Sequence, residues 1–219
     1  MLAAAPILFD LDGVLANSRR PTIDCVNGAL EALGYEPRPD PEVEPFIGPP
    51  TEVGFATLLG VPEDGPVVAR AVREYRARYA HVLHETPSYP GVPEVIAGLS
   101  EEHLLGVATS KPRRYALPVL EAIGLAPRFA YVAGPEPGGP NDKEAMVAEA
   151  MRALPGAAVM VGDRSYDMAA ANALGLRAIG VLWGFGGREE LLAAGAHELV
   201  EDAAALRARL RTISSITGP

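Results

Sequence analysis

A chain of 219 residues, 48% hydrophobic and 21% charged, has ordinary globular composition. It is long enough to bury about 70% of its unfolded surface, as one domain or one domain carrying an insertion. The 28 acidic against 19 basic residues leave a formal charge of -9, whose field repels polyanions and argues against a non-specific nucleic-acid or anionic-membrane binder. The single cysteine, Cys25, permits no internal disulfide and no multi-thiol zinc site, and reads as an inert small hydrophobe. No run approaches the roughly 18 apolar residues of a membrane span, and the first residues lack a basic stretch before their apolar run. A soluble cytoplasmic protein is the expectation.

In chain order, the apolar run Ile7 to Phe9 predicts a first strand that ends at Asp10. Residues 18 to 88 then contain no convincing strand. Ile23, Val26, Leu30 and Leu33 recur every three or four residues, as do Val68, Val72, Tyr75, Tyr79 and Val82, so each set predicts one apolar stripe of a helix. Strands are predicted at Leu104 to Ala108, Tyr131 to Ala133, Ala158 to Val161 and Ala178 to Leu182. Helices are predicted near Arg114 to Ile123, Asp142 to Leu154, Tyr166 to Leu174, Arg188 to Ala194 and Ala203 to Leu210. This alternation predicts an α/β fold, a doubly wound parallel sheet with right-handed crossovers. The expected division is a core of residues 1–17 and 88–219 and an inserted helical cap of residues 18–87. Its hinges fall at Ala16-Asn17-Ser18 and Ser88-Tyr89-Pro90-Gly91.

The first strand delivers two carboxylates, Asp10 and Asp12, at its carboxyl end, followed by Gly13. Residues two apart on an extended segment point the same way, and open α/β sheets bind ligands beyond the carboxyl ends of their strands. Two carboxylates this close need a cation to stay ionised together, or one holds a proton and serves as a general acid. A second pair, Asp163 and Asp167, brackets the turn after Val159-Met-Val-Gly162. With Asp10 it makes an oxygen-rich cluster suited to Mg²⁺. Read alone, Asp163 or Ser165 equally caps a helix and Asp167 favours its dipole.

Thr109 and Ser110 follow the strand that ends at Ala108, where a hydroxyl and backbone amides can hold phosphoryl oxygens. Thr109 alone also reads as a helix cap. The chain carries 17 Arg and two Lys, Lys111 and Lys143. Where arginine supplies nearly all positive charge, a retained lysine points to a task needing a compact point charge, with a solvated surface lysine as the alternative. Lys143 opens a predicted helix and suits either neutralising a bound phosphoryl group or restraining Asp10. His81, His84, His103 and His197 form no convincing metal constellation in the sequence.

Taken together, Phe9-Asp-Leu-Asp-Gly-Val-Leu15, Thr109-Ser-Lys-Pro112, Lys143 and Gly162-Asp-Arg-Ser-Tyr-Asp167 resemble the four motifs of the haloacid dehalogenase-like hydrolases. The likeness is to their phosphoglycolate phosphatase-like and 5'-nucleotidase-like branch with a helical cap. It extends from about residue 6 to about residue 210 and includes Phe46-Ile-Gly48-Pro-Pro50 and Gly180-Val-Leu-Trp-Gly-Phe-Gly186. The resemblance implies a Rossmann-like core and a Mg²⁺-dependent phosphatase acting on a small phosphorylated metabolite, as monomer or homodimer. Asp10 is the implied nucleophile and Asp12 the acid and base. Thr109, Ser110 and Lys143 are implied to hold the phosphoryl group. Asp10, Asp12 (through its carbonyl), Asp163 and Asp167 are implied to hold the metal. Arg19, Arg20 and the loop at Gly48 are the candidates for substrate contacts.

The motifs do not separate this activity from a sugar phosphomutase or a nucleoside 5'-monophosphatase of the same superfamily. A dehalogenase needs neither Asp12 nor Asp163. A phospho-accepting receiver, the non-catalytic alternative, takes phosphate on a later strand and lacks a large insertion after the first.

Overall fold

The computed structural model describes residues 4–137 and 139–214. Residues 1–3 and 215–219, the outer ends of the expected core, lie outside the described residues, as does residue 138. Six parallel strands run β1 (Ala4–Phe9), β2 (His103–Ala108), β3 (Tyr131–Ala133), β4 (Val159–Gly162), β5 (Arg177–Val181) and β6 (Glu198–Val200). Their order across the sheet is β3-β2-β1-β4-β5-β6, so the first strand lies in the middle and the chain winds outward from it in both directions. The expected doubly wound parallel sheet is the one observed.

Alternation along the central strands sorts their side chains to two faces. Leu8, Met160 and Ala178 point to one face, where they meet Met146, Val147, Met168 and Ala171. Those partners come from α7 (Lys143–Ala153) and α8 (Ser165–Ala173). Ile7, Phe9, Leu105, Val107, Val161 and Ile179 point to the other. They share a core with α5 (Val92–Leu99), α6 (Arg113–Ala122) and α10 (Ala203–Ser214). The short α9 (Arg188–Ala193) contributes Leu191 to the first face.

Among the strands and α-helices outside residues 18–87, two were not anticipated from the sequence. β6 is three residues at the sheet edge, too short for a periodicity to register. α5 holds Pro93 and Gly98 and is apolar almost throughout; Pro fits because it sits in the first turn, where its missing N–H costs no helical bond.

Between β1 and α5 lie α1 (Arg19–Ala32), α2 (Asp40–Val43), α3 (Thr51–Leu59) and α4 (Pro66–Val82). Ile23, Val26 and Leu30 of α1 and Val68, Val72, Tyr75 and Tyr79 of α4 are buried, while Leu33 and Val82 at the ends of the stripes are half-buried. Phe46, Phe55 and Tyr75 close the space between these helices, with ring centroids 5.0 to 6.1 Å apart. The two crossings between this segment and the sheet run side by side. Asn17 N donates to Pro87 O at 2.8 Å, and Ser88 Oγ donates to Leu15 O at 2.9 Å.

Candidate active site

Phe9 aligns with Val107 on one side and Val161 on the other, so β1, β2 and β4 end in register and deliver Asp10, Thr109 and Asp163 to one edge of the sheet. Asp10 continues the ladder by donating its N–H to Val161 O at 2.9 Å, and its Oδ1 accepts the Leu11 N–H at 2.7 Å. The chain then turns tightly, Leu15 N and Ala16 N both donating to Leu11 O. Gly13 makes the turn possible. Its φ is +84°, and a Cβ there would lie 2.0 Å from Asp163 Oδ2, so no larger residue passes between the turn and that carboxylate.

Lys143 opens α7, whose first turn is capped by the Asp142 side chain accepting the Ala145 N–H at 2.8 Å. Its Nζ lies 2.9 Å from Asp10 Oδ1 and 2.9 Å from Asp167 Oδ1, and donates to Ala108 O at 3.1 Å. Asp167 turns its other oxygen to the backbone, Oδ2 accepting the N–H groups of Asp163 and Arg164 at 3.0 Å each. Asp163 Oδ2 accepts the Phe185 N–H at 2.8 Å from the loop after β5. Asp163 Oδ1 is buried and has no hydrogen-bond partner among the described residues.

Carboxylate oxygens of Asp10, Asp163 and Asp167 lie within 4.8 Å of one another, and all three side chains are buried. Burial pushes the Asp10 carboxyl up to about 6; Lys143 opposes the rise, and Asp167 and Asp12 add to it. Asp163 is raised well above the ordinary range by burial and by Asp167 and Asp10. For Lys143, burial lowers the ammonium, but Asp10 and Asp167 together outweigh burial and hold it above its usual value. Three converging carboxylates with one lysine carry excess negative charge away from water, and an orphaned oxygen stands among them. That donor set fits a hard divalent cation such as Mg²⁺.

Beside the cluster is a cavity of about 70 Å³, lined by Asp10, Asp12, Thr109, Ser110 and Lys111 from the sheet side and by Gly48, Tyr75 and Arg76 from the helical side. Thr109 is buried, and its Oγ1 accepts the Lys111 N–H at 3.1 Å. Lys111 Nζ lies 3.1 Å from Asp12 Oδ2.

Asp10, Asp12, Thr109, Ser110, Lys143, Asp163 and Asp167 are thus gathered at one end of the sheet. Gly48 reaches the same cavity, its backbone at φ +113° and close against the Tyr166 hydroxyl. Arg19 and Arg20 do not line it. Arg20 is exposed and pairs with Asp24 and Asp40. Arg19 pairs with Glu44 and lies 5.5 Å from the Phe185 ring centroid, and both arginines border a separate groove at the hinge with Asn17 and Pro87. Arg76, Tyr79 and Arg164, which were not among the site residues expected from the sequence, also stand near the site. Arg164 Nη1 donates to Ile47 O at 2.7 Å, tying the loop before Gly48 to the helix that carries Asp167.

The family of haloacid dehalogenase-like hydrolases matches residues 7–181. The chain is 35% identical over 207 residues to a 5'-nucleotidase of Pseudomonas aeruginosa, spanning 92% of this chain and 93% of that one. It is 30% identical over 193 residues to a phosphoglycolate phosphatase of Chromobacterium violaceum, spanning 82% and 85%. A crystal structure of a predicted phosphatase from Clostridium acetobutylicum superposes with a TM-score of 0.88 at 30% identity, over 96% of this chain and 99% of that one. The chain belongs to the haloacid dehalogenase-like hydrolases. Within that family it is an enzyme of the phosphatase kind.

Proposed function

We propose that this enzyme is a Mg²⁺-dependent phosphomonoesterase that cleaves a small phosphorylated metabolite through a phosphorylated Asp10. The observation that carries the reading is the position of Asp10. It stands where β1 ends, 2.9 Å from Lys143, among Asp163 and Asp167, and open to the cavity that also holds Asp12, Thr109 and Ser110.

Asp10 attacks phosphorus with a carboxylate oxygen as the bond to the leaving alcohol breaks. Asp12 gives a proton to the departing oxygen, then takes one from the water that hydrolyses phospho-Asp10, releasing inorganic phosphate. Thr109, the Ser110 amide and Lys143 hold the transferring oxygens, and Lys143 also fixes the attacking carboxylate. The carboxylates of Asp10, Asp163 and Asp167 and the Asp12 carbonyl would hold Mg²⁺, which offsets the repulsion between Asp10 and the phosphate when bound.

In this proposal residues 18–87 form a cap over a core of residues 1–17 and 88–219, and the loop at Gly48 touches the leaving group. The small cavity, about 70 Å³, supports a small ester. Among the described residues no helix is long and apolar enough to cross a membrane. We place the enzyme in the cytoplasm as monomer or homodimer, free of nucleic acid and membrane. The relatives' names put phosphoglycolate and nucleoside 5'-monophosphates first among the candidates. A screen of small phosphate esters with Mg²⁺, reading kcat/KM for each, tests the activity. Release of phosphate, lost in Asp10→Asn, supports it. Isomerisation of β-glucose 1-phosphate without free phosphate would identify a mutase instead.

A further inference from the structure

The reaction above uses one of the two lysines. The other, Lys111, is almost buried, its side chain 8% exposed. Its Nζ stands 3.1 Å from Asp12 Oδ2 and donates to the Tyr79 hydroxyl at 2.6 Å. Tyr79 is held rigidly in α4: it is buried, stacks on Tyr75 with centroids 5.3 Å apart, and meets Tyr115 of α6 edge-on at 6.2 Å. The ammonium therefore joins a fixed aromatic of the helical segment to one oxygen of Asp12. The second oxygen, Asp12 Oδ1, is shut off from solvent and has no hydrogen-bond partner among the described residues.

We infer that Lys111 is a positioning residue for proton transfer: it pins the Asp12 carboxyl through Oδ2 and takes its own position from Tyr79. The inference rests on the reading of Asp12 as the acid. In the step concerned, the proton on the Asp12 carboxyl passes to the ester oxygen as its bond to phosphorus breaks and the Asp10–phosphorus bond forms. Lys111 keeps its protons throughout. The geometry also ties chemistry to closure, because Tyr79 belongs to α4 and Asp12 is aligned only while α4 lies over the sheet edge. A lysine suits the task, since its compact ammonium has rotatable donors that reach both acceptors.

Two esters of similar size separate positioning of the acid from general damage. Benzyl phosphate leaves as an alkoxide that needs a proton, whereas p-nitrophenyl phosphate leaves as a phenolate that does not. The readout is the ratio of kcat/KM for benzyl over p-nitrophenyl phosphate, measured with Mg²⁺, because kcat/KM reports formation of phospho-Asp10. Asp12→Asn sets the scale, and its ratio is expected to fall about a hundredfold. The ratio should fall about tenfold in Lys111→Met and about threefold in Tyr79→Phe, which keeps the ring packing and removes only the hydroxyl. A structural role, or contact between Lys111 and the phosphoryl group, lowers both esters alike and leaves the ratio at its wild-type value; that result overturns the inference. If Asp12→Asn itself leaves the ratio unchanged, the acid assignment falls, and this inference with it.

Discussion

Lys143 Nζ lies 2.9 Å from Asp10 Oδ1, and the chain's only other lysine stands 3.1 Å from Asp12 Oδ2. Each carboxylate of Asp10-Leu-Asp12 thus has its own ammonium, in a chain that uses arginine for its remaining 17 basic positions. Lys143 fits because one point charge meets two carboxylates and a carbonyl inside 3.1 Å, which a planar guanidinium cannot do in the same space.

Replacing Lys143 by Met leaves Asp10 and Asp167 buried together without their cation. Breaking a buried ion pair from one side costs about 3–5 kcal/mol, so urea unfolding without metal should show a loss of that order and turnover should collapse. Lys143→Arg should restore the charge but not the activity. An unchanged urea midpoint in Lys143→Met would show that the pair carries no net stability.

Mg²⁺ should act on stability as well as on rate. At about a hundred times its dissociation constant, a ligand specific for the folded state adds about 2.7 kcal/mol to the free energy of unfolding. Melting curves of the wild type should rise with added Mg²⁺ and fall back with EDTA, while Asp163→Asn, lacking one carboxylate oxygen of the cluster, should show little of that rise. A wild-type curve indifferent to Mg²⁺ contradicts the assignment of the cluster.

Gly48 reaches the cavity at φ +113°, and a Cβ there would lie 1.9 Å from the Tyr166 hydroxyl. Gly48→Ala forces the loop off the helix that carries Asp167, at a cost of about 1–3 kcal/mol. The expected result is a rise in KM of about tenfold for the best ester in the screen, with a smaller change in kcat. Equal kinetics in the variant would mean that the loop does not close on substrate.

Cys25 is buried in α1, and burial raises its thiol to about 11. Thiolate is the reactive form, so the folded protein should resist a disulfide reagent at pH 8 and react fully once unfolded in urea. Rapid labelling of the native state is the contrary outcome.

The sequence made Asp10, Asp12, Asp163 and Thr109 legible because each follows a short apolar strand, and parallel strands in register end along one edge. Lys143 stood out through the scarcity of lysine. What stayed hidden depends on packing between distant parts of the chain. Lys111 finds Tyr79, 32 residues away, only once α4 lies across the sheet edge, and the Phe185 amide reaches Asp163 from a loop 22 residues on. Arg19 and Arg20 invited a substrate role by following the hinge, yet their helix turns them to Glu44, Asp24 and Asp40. The strand β6 escaped because three edge residues carry too little pattern.

Rapid quench of the enzyme during turnover, followed by mass spectrometry of its peptides, tests the account at its centre. One phosphoryl group is expected on the peptide containing Asp10, removed by hydroxylamine and absent in Asp10→Asn. A phosphoryl group on any other residue, or continued phosphate release from Asp10→Asn at the wild-type rate, would contradict it.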